Sequence, residues 1–453
     1  MKRIFFLCCV SLCLMSVQAG LETTIWRTDI KTLTVRYVSD IEASNKTHLK
    51  RPFLTLAGTD FVRESVAGTN MTIDGSEPNN TLEISFDELS HDAHMYTYTV
   101  RHLNADHEFS NLESYEYLQG FTTADITDYE HSLNTQQAYT HYRFTFPNAD
   151  MQITRSGNYV ILIYEDGKSE EIVAQACFSV VEPLVQMSAS ITPNTVEEIA
   201  GRYQQLEMSV QAAMTNGEPL ANCLFAVVRQ NGRTDNEVFR PRPTMVESNR
   251  LTWHNSRELV FEGGHEYRHF DTWSTYFGGH NVDRIVYDHT DYHAVLSEDE
   301  VRGTANNQAG RTGINYMHEF DEDGQFRVNA ERVLNDVATE AEYMWVHWTL
   351  PMQEPLLEGG IYILGDIFYN RFTAENRMLY DNERRCYYLN ALIKQGGYDY
   401  LYMLKGKQNA TLLKTEGSHW QTGNSYTIYI YYRPVGSRGD RLVGLQTYSS
   451  SST

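Results

Sequence analysis

Cysteine is scarce in this chain: six in 453 residues, and Cys8, Cys9 and Cys13 fall within the first thirteen. The later three, Cys177, Cys223 and Cys386, are odd in number and far apart. That excludes a disulfide framework of the kind small exported domains depend on. Cys177 and Cys223 sit in apolar runs, AQACFSVV and ANCLFAVV, and are expected to be buried as small hydrophobes. Proline is sparse too, at 11 residues, and basic residues are outnumbered 37 to 59. A formal charge of −22 argues against nucleic acid and anionic membrane as partners. The one sustained apolar run, Ile4 to Val17, is shorter than the roughly 20 residues a bilayer requires.

That run has the anatomy of a secretory leader. Lys2 and Arg3 precede it and Val17-Gln18-Ala19 closes it as a small-residue cleavage site, so residues 1–19 are expected to be removed. The leader's cysteines lie inside the apolar run, not at its end, which disfavours a lipid anchor. Without the leader's two cations the formal charge becomes −24. An exported, soluble chain without a transmembrane segment is the expectation.

Thirty tyrosines and 19 phenylalanines point to sheet. An outer-membrane barrel also alternates and is aromatic-rich, but the segments here are irregularly spaced. Residues 20–183 carry TLTVRYVS, TLEISFDEL, MYTYTVRHL, THYRFTFP and NYVILIYED, with turn chemistry at Asp74-Gly75 and Asp166-Gly167. Residues 184–338 repeat the pattern with LEMSVQAAM, CLFAVVRQN, RLTWHN, ELVFEGG and GQFRVNAE, and contain a charged, loop-like span from Asp283 to Arg311. Residues 339–453 run through EAEYMWVHWTL, GGIYILGDIF, YYLNALI, YDYLYML and SYTIYIYY. The reading is all-β, three tandem immunoglobulin-like sandwiches bounded at 183 and 338. Val333 to Ala341 is the one helical candidate, and it is short.

Chemistry-bearing motifs are few. His265-Glu266-Tyr267-Arg268-His269 matches H-E-x-x-H, which in zinc hydrolases needs both histidines on one helical face and the glutamate to activate water. Gly263-Gly264 before it and the aromatics after it favour strand instead. His280, His289 and His293 follow closely, without the spacing of a closed metal site. Asp60, Asp87, Glu358 and Asp366 are expected to be solvated strand-end acids and not a glycosidase pair. Asn45, Asn70, Asn79 and Asn409 each begin an N-x-T sequon. No catalytic, cofactor-binding or metal residue is expected, and no partner-binding residue is assigned.

The last unit looks like the early-set immunoglobulin-like domains that bind starch or glycogen. There a strand reaching Gly-Asp-Phe-Asn precedes a sugar-stacking Trp. Gly365-Asp366 and Asn370 match, but Arg371 stands after the Asn. A carbohydrate-binding protein is thus one alternative, and a zinc-dependent hydrolase centred on His265 and His269 is another.

A wider resemblance covers nearly the whole chain after the leader. Phe86-Asp87-Glu88-Leu89, Ser110-Asn111-Leu112, Glu116 to Phe121, Tyr139-Thr140-His141-Tyr142 and Ser156-Gly157-Asn158-Tyr159 carry it in the first unit. Gln230 to Asn236 and Phe261 to Arg268 carry it in the second. Lys394-Gln395-Gly396, Tyr398, Tyr400, Glu416-Gly417-Ser418, Tyr431-Tyr432-Arg433 and Gly436 to Leu442 complete it. These motifs resemble the plug-protein family of the Bacteroidetes type IX secretion system. One departure is His102-Leu103-Asn104, where the family often has His-Cys followed by Trp. The resemblance implies a non-enzymatic periplasmic subunit, without cofactor, that associates with the periplasmic side of a large outer-membrane translocon barrel. It would plug that barrel sterically, through a polar interface of moderate area.

Overall fold

The computed structural model describes residues 22–38, 52–56, 81–168, 171–213, 218–304, 321, 323–407 and 410–450. The leader, Asp60, the four sequons and the Asp74-Gly75 turn lie outside the described residues. Strands dominate, in several sheets that pack as β-sandwiches.

Period-two alternation decides the first sandwich, because each strand has one face to bury. One sheet runs in the order Thr24–Ile25, Ile172–Val181, Gly157–Glu165, Tyr96–Leu103, Thr123–Ile126, with Phe53–Thr55 parallel to Ile172–Val181. The facing sheet contains Ile30–Tyr37, Leu82–Glu88, Thr140–Phe146 and Asp128–His131. Leu33, Ile84, Phe86, Tyr142, Tyr159 and Ile161 fill the space between them. Phe86 stacks on Tyr142 at 5.1 Å, and Tyr96 meets both rings edge-on. Asp166-Gly167 makes the expected turn, with Gly167 at a positive φ of 75°.

The second sandwich is built from two distant stretches of chain. One sheet holds Val185–Thr192, Tyr203–Ala212, Arg250–Trp253, Met245–Val246 and Val260–Glu262. The other runs Val238–Phe239, Leu224–Gln230, Ser425–Tyr432, Arg441–Ser449. Leu224 pairs with Tyr432 and Gln230 with Tyr426, so the C-terminal tyrosine ladder crosses the expected boundary after 338. Its inward residues Tyr426, Ile428 and Ile430 pack with Leu206, Val210, Val228 and a fully buried Trp253. The physical reason is local: a strand apolar on both faces needs cover on both sides, and a central position in a sheet between two units supplies it. Its opposite face, Tyr429 and Tyr431, packs against Ala105 and Val181 of the first unit.

The third sandwich spans 268–411. Gly396–Lys405 pairs with Arg268–Asp271, Phe326–Val328, Gly360–Leu364 and Ala410–Thr411. The opposing sheet runs Val282–Tyr287, Tyr292–Leu296, Tyr343–Pro351, Cys386–Lys394, Leu379–Asp381. Trp348 sits at its centre among Phe270, Tyr400 and Phe368. The span from Asp283, expected to be a loop, begins with the hairpin Val282–Tyr287 and Tyr292–Leu296. Its strands carry polar residues outward, which a composition-based reading mistakes for a connection. The helical candidate reduces to one turn, Val337–Glu340, capped by Asp336. Cys177, Cys223 and Cys386 are all buried and outside any disulfide, the first and last on strands and Cys223 ending the short helix Leu220–Cys223.

Candidate functional site

Polar side chains converge where the first and third sandwiches meet. Asp87, on strand Leu82–Glu88, is only 1 % exposed and accepts three hydrogen bonds. Lys394 Nζ donates to Oδ2 at 2.5 Å, Tyr343 Oη to the same oxygen at 2.7 Å, and His141 Nδ1 to Oδ1 at 2.7 Å. Burial alone would raise this carboxyl, but the Lys394 ammonium and His141 outweigh it and hold it below the usual carboxylate range. Lys394 also donates to the Ala338 carbonyl at 2.6 Å and lies 4.2 Å over the Tyr139 ring. Tyr139 in turn donates to the Ala341 carbonyl at 2.9 Å. Next to this knot Glu342 receives the backbone N–H groups of Gln136 and Gln137.

This overturns the expectation for two of the carboxylates. Asp87 and Asp366 are buried, at 1 % and 3 % exposure; for Asp87 three fixed donors stand where water otherwise would. Glu358 is exposed and pairs with Lys414, as a solvated acid should. The Gly365-Asp366 turn, matched above to sugar-binding domains, is a 3-10 turn in which Asn370 Nδ2 donates to Asp366 Oδ1 at 2.7 Å. Tyr369 then adopts a left-handed φ of 54° and donates its hydroxyl to the Leu33 carbonyl in the first sandwich at 3.1 Å. The segment is occupied as an interdomain contact.

The seam between the first and second sandwiches uses the basic loop after the tyrosine ladder. Asp440 Oδ2 accepts the Ala105 N–H at 2.9 Å, and Arg438 and Arg441 pair with Glu116 and Glu182. Asn158 Nδ2 donates to the Tyr431 hydroxyl at 2.9 Å. A Cβ on Gly439 would lie 2.7 Å from Leu112, so glycine permits the close approach. Between the second and third sandwiches, Thr411 Oγ1 donates to Glu262 Oε1 at 2.8 Å.

The H-E-x-x-H match lies across this region without forming a helix. Arg268–Asp271 is a strand, and the residues before it are extended loop. His269 sits between two carboxylates, Nδ1 to Asp399 at 2.6 Å and Nε2 to Asp271 at 3.1 Å. Partial burial opposes its charge, yet the hydrogen bonds to Asp271 and Asp399 raise it to about 10. Both ring nitrogens are therefore committed. His265 is buried beside Arg302 and His419, and burial followed by the Arg302 charge lowers it to about 4. Glu266 accepts the Gly423 N–H at 3.1 Å. The motif residue with the largest structural role is Arg268. Its guanidinium grips Glu416 at 2.9–3.2 Å and Asp299 at 2.9 Å, and Tyr400 and Tyr402 donate to Asp299 at 2.7 and 2.6 Å. No group of three or more metal-ligating side chains with suitable geometry occurs among the described residues.

Farther along, His280 stacks obliquely near His269, with centroids 5.8 Å apart, while His293 Nδ1 meets His347 Nε2 at 2.9 Å and its Nε2 meets Asp288. His289 is exposed beside Tyr287. The histidines are thus dispersed over separate places. His347 and Asn390, which complete the His293 contact, escaped the sequence reading because they lie on other strands. Lys394 escaped as a charge partner for the same reason, being 307 positions from Asp87.

The arrangement defines an all-β protein of three sandwiches locked together by buried polar contacts. The first part of the chain, residues 63–182, matches the family model of the type 9 secretion system plug protein 1st domain. A hypothetical protein from Parabacteroides merdae ATCC 43184, solved in a crystal structure, is 32 % identical. The alignment covers 95 % of this chain and 100 % of that one, with a TM-score of 0.82. No curated protein matches. The chain belongs to the type 9 secretion system plug protein family, which ties it to a type IX secretion-related role at the cell envelope. Among the described residues no helix is long and apolar enough to cross a membrane.

Proposed function

We propose that this protein is a non-enzymatic periplasmic subunit that associates with the type IX outer-membrane translocon barrel and obstructs it sterically while no substrate is present. One observation carries the reading: several residues of the motifs that carry the resemblance make contacts between sandwiches. Asp87 and Tyr139 face Lys394, Asn158 faces Tyr431, and Leu112 abuts Gly439. Side chains committed to such bonds are poor nucleophiles and poor ligands, but they make one stiff body from three.

Stiffness is what a steric seal requires. A body whose units rotated freely would leave gaps, and interfaces between tandem domains move unless they are large or well bonded. The test is a deletion in the native cell. Loss of the protein should make the outer membrane permeable to a large hydrophilic dye, only where the translocon barrel is present, and the tagged protein should recover that barrel. Intact permeability and no barrel recovered would end the proposal.

A further inference from the structure

The third sandwich exposes a cluster of aromatic rings that the seams do not use. Between strands Arg268–Asp271 and Val282–Tyr287 the chain projects Trp273, Tyr276 and Phe277, which are 40, 67 and 49 % exposed. Trp273 and Phe277 meet edge-on at 6.4 Å. Tyr292 continues the surface, and its ring centroid lies 4.9 Å from that of Tyr287, which is 43 % exposed. Single exposed aromatics are ordinary, but a contiguous group of four is a mark of an interaction surface.

The charges beside the rings say what suits them. Glu331 is exposed beside the cluster, its N–H bonded to the Trp273 carbonyl at 2.7 Å, and Asp283 and Asp288 are exposed on the hairpin that follows. Both neighbouring arginines are engaged: Arg284 donates to Asp283 at 2.6 Å, and the Arg332 guanidinium lies 4.7 Å over the Tyr276 ring. That stack shows a ring face of this patch already holding a cation, which its quadrupole favours. The chain as a whole carries −22. An apolar centre with a carboxylate rim complements a surface with apolar side chains at its middle and arginine or lysine around them.

We infer that Trp273, Tyr276, Phe277 and Tyr287 form the docking surface for a protein partner of that chemistry, the translocon barrel itself. This assignment rests on the proposed function for the partner's identity; the patch and its charge stand independently. The exposed part of four aromatic side chains covers on the order of a few hundred Å², enough for the anchoring centre of an interface but not for all of it.

The test compares three forms of the full-length tagged protein in its own cell, each first shown to melt at the same temperature. Tyr276→Ala with Phe277→Ala removes the two most exposed rings, and Asp283→Lys with Glu331→Lys reverses the rim. The aromatic pair should weaken binding to the purified barrel by about thirtyfold or more. The charge reversal should slow association about tenfold at low salt, and the difference should vanish near 0.5 M NaCl. Equal binding by all three forms overturns the surface while leaving the proposed function intact. Failure of the wild type to bind the barrel removes both. A concentration-dependent dimer abolished by the aromatic pair would overturn it in favour of a self-contact.

Discussion

Lys394 and Asp87, 307 residues apart, close a hydrogen bond of 2.5 Å in a place where neither is more than 1 % exposed. Neither charge could remain there alone. The pair therefore couples the first and third sandwiches: separating them would strand an ion or require water to enter.

Lys394→Met should cost about 3–5 kcal/mol, because it leaves the Asp87 carboxylate buried with only hydroxyl and imidazole partners. Asp87→Asn in the same chain should recover part of that loss. Urea denaturation of the two single variants and the double variant gives the coupling, and a coupling near zero would show the pair to be unimportant.

Arg268→Lys keeps the charge and loses the fork. The guanidinium satisfies Glu416, Asp299 and the Glu300 carbonyl together, which one ammonium cannot do. A loss of about 2–3 kcal/mol is expected by thermal or chemical unfolding.

Acid should weaken the fold through its buried histidines. His102 is 2 % exposed with no hydrogen-bond partner at Nδ1, and burial lowers it to about 4 from 6.5. The folded protein then binds fewer protons than the unfolded chain between pH 6.5 and 4, so stability falls as pH falls through that window. The contribution at neutral pH is roughly 3 kcal/mol and is lost progressively toward pH 4. His102→Leu should flatten the fall in this window; an unchanged slope in pH-dependent denaturation would refute the assignment.

Gly263→Ala should prevent normal folding or cost more than about 3 kcal/mol. A Cβ there would lie 2.0 Å from the His419 carbonyl oxygen, which is backbone and cannot rotate away. Gly436→Ala has open space around its Cβ and pays only for its positive φ of 83°, so it should be the milder of the two in a side-by-side melt.

Strand identity was legible because alternation is local. The runs MYTYTVRHL and SYTIYIYY became Tyr96–Leu103 and Ser425–Tyr432, and the turn at Asp166-Gly167 formed as its residues require. That the zinc-like pentapeptide is not helical was readable from Gly263-Gly264 and the aromatics around it, and Arg268 and His269 do lie on a strand. The hairpin after Asn281 was not readable, since Asp283, Arg284, Asp288 and Asp291 give this stretch the charge of a loop. Nor was the role of Asp87, because its burial depends on donors that arrive from elsewhere in the chain.

By itself the sequence determined the alternation of the strands, that the chain is all-β, and that its motifs resemble the plug family. Tertiary structure alone decided that Ser425–Tyr432 joins Leu224–Gln230, that Arg438 and Arg441 clasp the first sandwich, and that Asp87 meets Lys394. The reason is that a period-two pattern selects a face without selecting a neighbour, and the entropy of closing a long loop grows only slowly with its length. Partners hundreds of residues away therefore compete nearly as well as near ones, and complementary packing and charge make the choice.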